Sequence, residues 1–247
     1  MKATAFEFRF RLWLIVALVF LGFWSPWVQW LGWGSRTIAW LWLGHEVGAL
    51  AGNPLLGFEL VTWLAIALAA VGAALRVSGT AYLGAGTVFS ESMTAGQVTA
   101  NGPYRRVRNP LYLGTWFMVA AIALQMPTTG ALVVLVLLAW FQLRLILGEE
   151  AFLVAKLGQL YRDYLGAVPR LVPILRSRVR ASEMRPNWWI ALLAEVMPVG
   201  VVVSYALLSW QYSADLMARA LLISFGLSLV TRALIRPQAN PPAPSAP

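Results

Sequence analysis

Apolar residues along this chain do not alternate; they run in long blocks. Six blocks, roughly 12–33, 60–82, 110–126, 129–147, 188–210 and 216–235, come close to the ~20 residues that a helix needs to cross a bilayer. "MPTTG" at 126–130 is a short turn, so 110–147 is expected to form a tight helical hairpin. A seventh stretch, 36–52 "RTIAWLWLGHEVGALAG", is short and carries His45 and Glu46. It reads as a helix lying at or dipping into the outer face, with Gly44, Gly48 and Gly52 forming a smooth stripe for close helix contact. "EEAFLVAKLGQLYRDYLGAV" (149–168) has apolar residues at helical spacing, which predicts an amphipathic helix along the inner leaflet. The two prolines of "VPRLVP" stop it. "LRSRVRASEMRP" is expected to touch anionic headgroups, and the last residues, "RPQANPPAPSAP", read as a disordered tail.

The expected fold class is therefore all-α: a polytopic membrane bundle of about six helices with a cytoplasmic amphipathic helix. Its parts are an N-terminal span with the outer-face helix (1–59), a core (60–186), a C-terminal helical hairpin (187–236) and a tail (237–247). Composition agrees, since 60% of the 247 residues are hydrophobic and only 12% are charged. The net charge of +9 could indicate nucleic acid, but in a membrane protein it marks cytoplasmic loops and contact with anionic lipid, so no nucleic-acid partner is expected. With the N-terminus inside, six spans leave only Arg36 and Arg219 of the nineteen basic residues at the opposite face. Both termini are thus expected in the cytoplasm, in a bacterial inner membrane. The first apolar run lacks a cleavage site, so no cleavable signal peptide is expected. There is no cysteine, which excludes disulfides and thiolate chemistry. His45-Glu46 opens like a zinc-protease helix, but Ala49 stands where a second histidine is required, and no metal site is expected.

The chemistry gathers at "GPYRRVRNPLYLG" (102–114). Gly102-Pro103 makes a turn, and Pro110 stops a helix from running through Asn109. Irregular backbone at the membrane boundary is tolerated where protein buries it or where it lines a polar cavity. Taken alone, the segment could be a turn with interfacial anchors. The hairpin, however, returns Glu149 and Glu150 to the same face, and paired carboxylates beside a membrane are costly unless hydrated or paired. An acid pair opposite a basic, aromatic loop suits a ligand with a flat ring, hydroxyls, an ammonium and a carboxylate. S-adenosylmethionine has all four.

"GPYRRVRNPLYLG", then "GEE", then "YRDYLGAVPRLVP", together with "RVSGTAYLGAG" upstream, resembles the membrane methyltransferases of the isoprenylcysteine carboxyl methyltransferase and phospholipid methyltransferase group. That pattern reads G-x-Y-x-x-x-R-H-P-x-Y-x-G, a helical hairpin, E-E and a Y-x-x-Y helix, and the match covers roughly residues 76–173. The resemblance implies S-adenosyl-L-methionine as cofactor, bordered by Tyr104, Asn109, Pro110, Leu111 and Tyr112, with backbone contacts from Gln97 and Val98. Glu149, more than Glu150, would hold the cofactor's polar end, and Arg108 and Arg144 would face a lipid-like methyl acceptor. The family's usual histidine is Asn109 here, which can hydrogen-bond but cannot act as a base near neutral pH. A histidine often found before the first glycine is also absent, and the two spans after residue 187 lie beyond the shared core.

Two other classes compete. A membrane reductase of the sterol-reductase type would bind NADPH, but two carboxylates repel phosphates. A transporter or structural protein would be expected to carry polar residues in mid-membrane segments, and the blocks read as lacking them. A soluble methyltransferase fold is excluded, because no strand–GxGxxG–helix unit occurs and "GAG" at 84–86 is too little.

Overall fold

The apolar blocks fold as helices in the computed structural model, which describes residues 2–89, 100–180, 185–211 and 213–235. In chain order these are α1 (Ala5–Arg9), α2 (Arg11–Trp24), α3 (Pro26–Trp30), α4 (Ala39–Ala51), α5 (Pro54–Leu83), α6 (Ala85–Val88), α7 (Pro110–Ala123), α8 (Thr128–Leu157), α9 (Gln159–Ala167), α10 (Trp188–Ala194), α11 (Val196–Gln211) and α12 (Ala214–Leu234). A 3-10 turn at Gly102–Arg105 precedes α7. Among the described residues the one β contact is an isolated antiparallel bridge between Ile38 and Pro127. The protein is an all-α bundle.

Four stretches are long and apolar enough to cross a bilayer: Arg11–Trp30, Pro54–Leu83, Thr128–Leu157 and Asp215–Leu234. Trp188–Ala194 and Val196–Leu207 make a fifth if the 70° bend between them lies within one span. The remaining block is α7, which has only 14 residues. At ~1.5 Å per residue it rises roughly 21 Å, short of the hydrocarbon thickness. The six blocks are thus met by four long helices, one bent pair and one short helix.

Small residues set the packing. On α5, Gly57, Val61, Ala65, Ala69, Gly72 and Ala73 are buried and recur every three or four residues, the spacing of one helix face. In lipid, helices associate through close van der Waals approach, which small residues permit. Where α5 crosses α7, a Cβ on Gly72 would lie 2.8 Å from the carbonyl oxygen of Gly114, closer than real side chains come. Nearer its N-terminus α5 pairs with α4: a Cβ on Gly57 would lie 2.2 Å from Gly44 O and 2.4 Å from Gly48 N. Gly44 and Gly48 are therefore the contact stripe, as expected. Gly52 departs from that reading; it caps α4 in a left-handed conformation and touches nothing across the pair. The main apolar core lies around the α7–α8 turn, where Ala65, Ala69, Val119, Met126, Val134 and Leu138 are buried together.

The other end of the bundle is polar. Here α8 does not stop at residue 147: it runs unbroken through Glu149 and Glu150 to Leu157. The amphipathic helix predicted over 149–168 is thus two pieces, the last turns of α8 and the separate α9. Gly158, at φ +60°, makes the corner between them. α9 buries Tyr161 and Tyr164 and exposes Arg162 and Asp163. After it, residues 169–180 form no regular element. They strap across the 102–109 loop through Arg108 N to Pro169 O (2.9 Å), Ile174 N to Arg106 O (3.0 Å) and Arg105 Nε to Val179 O (2.9 Å).

Candidate functional site

Gly102 takes φ +52°, and a Cβ there would strike the ring of Tyr82, so the loop enters tightly against α5. Pro110 then opens α7 at its first position, where a missing N–H costs nothing. Between these two points Tyr104, Arg108 and Asn109 are turned toward the bundle axis. They border a cavity of about 310 Å³, within the range of small-molecule sites.

Of the residues singled out in the sequence, Tyr104, Arg108, Asn109, Pro110, Leu111, Tyr112 and Glu149 line this cavity together. Tyr161 and Tyr164 of α9, and Phe8, Arg11 and Leu12 from the N-terminal segment, line it as well. The Tyr112 hydroxyl donates to the Glu149 carboxylate, and the Arg11 guanidinium supplies a compensating charge. Tyr164 donates from its hydroxyl to Tyr104 O at 2.8 Å, tying α9 to the loop. Burial pushes the Tyr104 phenol well above the usual tyrosine range, with Tyr164 adding to the effect, so it stays a neutral donor. Burial likewise raises Tyr161 and Tyr164. Asn109 donates through Nδ2 to Arg170 O at 3.2 Å, which leaves its carbonyl oxygen for other partners.

Two predicted residues are placed elsewhere. Glu150 is one step along the helix from Glu149, about 100° around its axis, and faces the strap. It accepts from Arg108 NH1 at 3.1 Å and from Arg170 NH2 at 2.7 Å. This carboxylate fastens the loop and the strap to α8. Arg144 does not line the cavity either. Its NH2 donates to Glu7 Oε2 at 2.8 Å and its guanidinium lies 5.0 Å from the Trp140 ring centre, so it pins α1 to α8. Gln97 and Val98 lie outside the described residues.

Several lining residues escape the sequence reading, Arg76 and Glu195 among them. Arg76 and Glu195 form a bidentate ion pair, Nε to Oε2 at 2.6 Å and NH2 to Oε1 at 2.9 Å. Thr80 Oγ1 donates to Oε1 of the same carboxylate at 2.5 Å, and Arg76 NH1 donates to Thr115 Oγ1 at 2.7 Å. Glu195 sits at the 70° bend between α10 and α11. It stands inside the apolar block 188–210, seven residues from its start. An acidic residue within an apolar span is itself a functional signal, and its partner had to be sought among arginines near the membrane boundary.

Whether this cavity fits an adenosyl sulfonium can be judged from its donors. The Tyr104 hydroxyl and Arg108 Nε are buried with no hydrogen-bond partner among the described residues, and such groups cost about 1–3 kcal/mol each if left so. Both line the cavity, beside a carboxylate and several aromatic rings. A ligand with acceptor atoms, an ammonium and a flat ring satisfies all of these at once. The residues fit the group.

Residues 60–159 match the family model described as phospholipid methyltransferase. No curated protein and no solved structure matches the chain. The matched stretch contains Arg76, the 102–114 segment, the α7–α8 hairpin and both glutamates, in agreement with the resemblance carried by the motifs; α1 to α4 and α10 to α12 lie outside it. Over residues 60–159 the chain is similar to the phospholipid methyltransferase family, and four to five of its helices are long and apolar enough to cross a membrane.

Proposed function

We propose that the protein transfers a methyl group from S-adenosyl-L-methionine to a lipid-like acceptor, in a cavity that opens at the cytoplasmic end of the bundle. The observation that carries this reading is the convergence of Glu149, Tyr104, Asn109 and Tyr112 on one cavity within the family-matched segment. The bound cofactor supplies an activated methyl on a sulfonium. Glu149 would hold the ammonium or ribose, Tyr104 and Tyr112 would flank the flat ring, and Asn109 would offer its carbonyl oxygen as an acceptor. Arg108, braced by Glu150, would keep its shape while its buried Nε takes an acceptor atom. The chain's contribution to rate is then positioning and exclusion of water, since an in-line displacement at a sulfonium needs little else. Arg144 has no part in this, because Glu7 and Trp140 hold it away from the cavity. The termini and the strap lie on the cytoplasmic side of a bacterial inner membrane, by the distribution of arginine and lysine.

The test is methyl incorporation. Membranes containing the protein, incubated with S-adenosylmethionine labelled in its methyl group, should accumulate label in the organic-solvent extract. The Glu149→Gln variant should lose most of that signal. Label at the background of membranes lacking the protein, across lipids from several sources, would contradict the reading.

A further inference from the structure

The cavity has a second polar end, and the family-matched segment builds only half of it. Arg76 belongs to that segment, but Glu195 comes from the bend between α10 and α11, beyond it. The two side chains are unequally exposed: the guanidinium is 19% accessible and the carboxylate 1%. The cavity therefore meets the cation, with its counter-charge set behind it. Thr80 and Thr115 complete the cluster, so Arg76 is held from two sides in one orientation.

Stability alone does not account for such a pair. Taking both charges out of water commonly costs as much as their attraction returns, and apolar residues of similar volume pack as well or better. Ionisable groups kept inside apolar helices mark sites. The neighbours indicate what the site takes. Met118, Met197, Pro198, Phe225 and Leu229 continue the same cavity as an apolar wall from α7, α11 and α12. The charges that line it are Arg11, Arg76, Arg108 and Arg232 against Glu149 and Glu195, an excess of cations.

Resting on the methyltransferase reading above, we propose that the Arg76–Glu195 pair anchors the acidic head of the methyl acceptor, an amphiphile bearing a carboxylate or phosphate. Glu195 is a positioning residue: it touches Arg76, and Arg76 touches the head. The C-terminal helices are on this account part of the acceptor site, with their apolar faces along its hydrocarbon chain. Glu195, Thr115 and the Leu111 carbonyl hold the guanidinium flat and take four of its five N–H groups, which leaves one NH2 donor fixed in direction for a charge-assisted bond to a carboxylate or phosphate oxygen. A cationic amine head would face an excess of like charge.

Equilibrium binding to the full chain in neutral detergent, saturated with S-adenosylhomocysteine, tests this. The probes are radiolabelled oleate and radiolabelled dioleoyl phosphatidate, with methyl oleate as neutral competitor. At least one acidic probe should bind saturably, methyl oleate should compete at least tenfold more weakly, and which acidic probe binds tells a carboxylate head from a phosphate. Arg76→Gln and Glu195→Gln should each weaken that probe tenfold or more while S-adenosylhomocysteine affinity stays within twofold. The double variant Arg76→Gln/Glu195→Gln leaves no unpaired buried charge and should show the same loss, which guards against a single variant that fails to fold. Saturable binding of neither acidic probe, equal competition by methyl oleate, or unchanged probe affinity in the double variant would each overturn the proposal. If the unmodified protein fails to bind S-adenosylhomocysteine, the methyltransferase reading fails first, and that outcome is seen separately from the probe result.

Discussion

Glu149 and Glu150 are chemically identical neighbours, and the structure gives them opposite consequences. Replacing Glu150 by glutamine removes the charge that Arg108 and Arg170 share. Glu150 is 6% exposed and accepts from Arg108 NH1 and from both Nε and NH2 of Arg170. Breaking a buried pair typically costs about 3–5 kcal/mol. Arg170 is 39% accessible, so water screens its share and the expected loss falls to roughly 2–3 kcal/mol. At about 2–4 °C per kcal/mol for a chain of this size, Glu150→Gln should melt some 5–10 °C lower. Glu149→Gln should behave differently. Its partners are the Tyr112 hydroxyl and the charge of Arg11, and an amide still accepts from the tyrosine. Its melting temperature should stay within a few degrees, while S-adenosylhomocysteine affinity drops by the ~1.5–3 kcal/mol of a charge-assisted hydrogen bond, one to two orders of magnitude. Differential scanning fluorimetry in detergent and calorimetric titration of the same preparations separate the two effects. If Glu150→Gln melts like the parent and loses the ligand, while Glu149→Gln binds normally, the division of labour argued here is wrong.

Other outcomes follow from particular contacts. Arg144 holds the Glu7 carboxyl down at about 2, against an ordinary value of 4.5. The pairing of α1 with α8 should therefore be fully present above pH ~4.5 and be lost as pH falls from there toward 2, which trypsin-independent proteolysis of the N-terminus across that range would detect and Glu7→Gln should mimic at neutral pH. Asn109→Leu removes both the bond to Arg170 O and the free carbonyl oxygen, and should cost roughly 1–3 kcal/mol of S-adenosylhomocysteine affinity, whereas Asn109→His should bind about as well as the parent. Gly57→Val should force α4 off α5 and destabilise by about 1–3 kcal/mol or more, read as a lower melting temperature with ligand affinity retained. A cysteine placed at Leu160 of this cysteine-free chain should react only with reagent added from the cytoplasmic side.

Much of this was legible in the residues. Long apolar blocks gave helices because lipid leaves the backbone no other economical partner than itself, and "GPYRRVRNPLYLG" carried its own turn and helix start in Gly102, Pro103 and Pro110. Glu149 was legible because a hairpin must return its two ends to one face. What sequence could not resolve was direction around a helix axis. Glu149 and Glu150 differ by a rotation of about 100°, which periodicity alone does not assign when both neighbours are apolar. Arg144 reads as a site residue until Glu7, 137 positions away, is seen to hold it. Glu195 was within reach: a carboxylate inside "WWIALLAEVMPVG" is costly unless paired, but its partner Arg76 lay 119 positions away and only tertiary packing joins them.

The central claim is that this cavity is built for an adenosyl sulfonium, and ligand stabilisation tests it most directly. Purified protein should melt higher in S-adenosylhomocysteine, by an amount that grows with ligand concentration: a hundredfold excess over the dissociation constant contributes about 2.7 kcal/mol. NADPH at the same concentrations should leave the melting temperature unchanged, because the cofactor end of the cavity offers the Glu149 carboxylate, which suits an ammonium and not a diphosphate. A concentration-dependent rise with NADPH and none with S-adenosylhomocysteine would contradict the account.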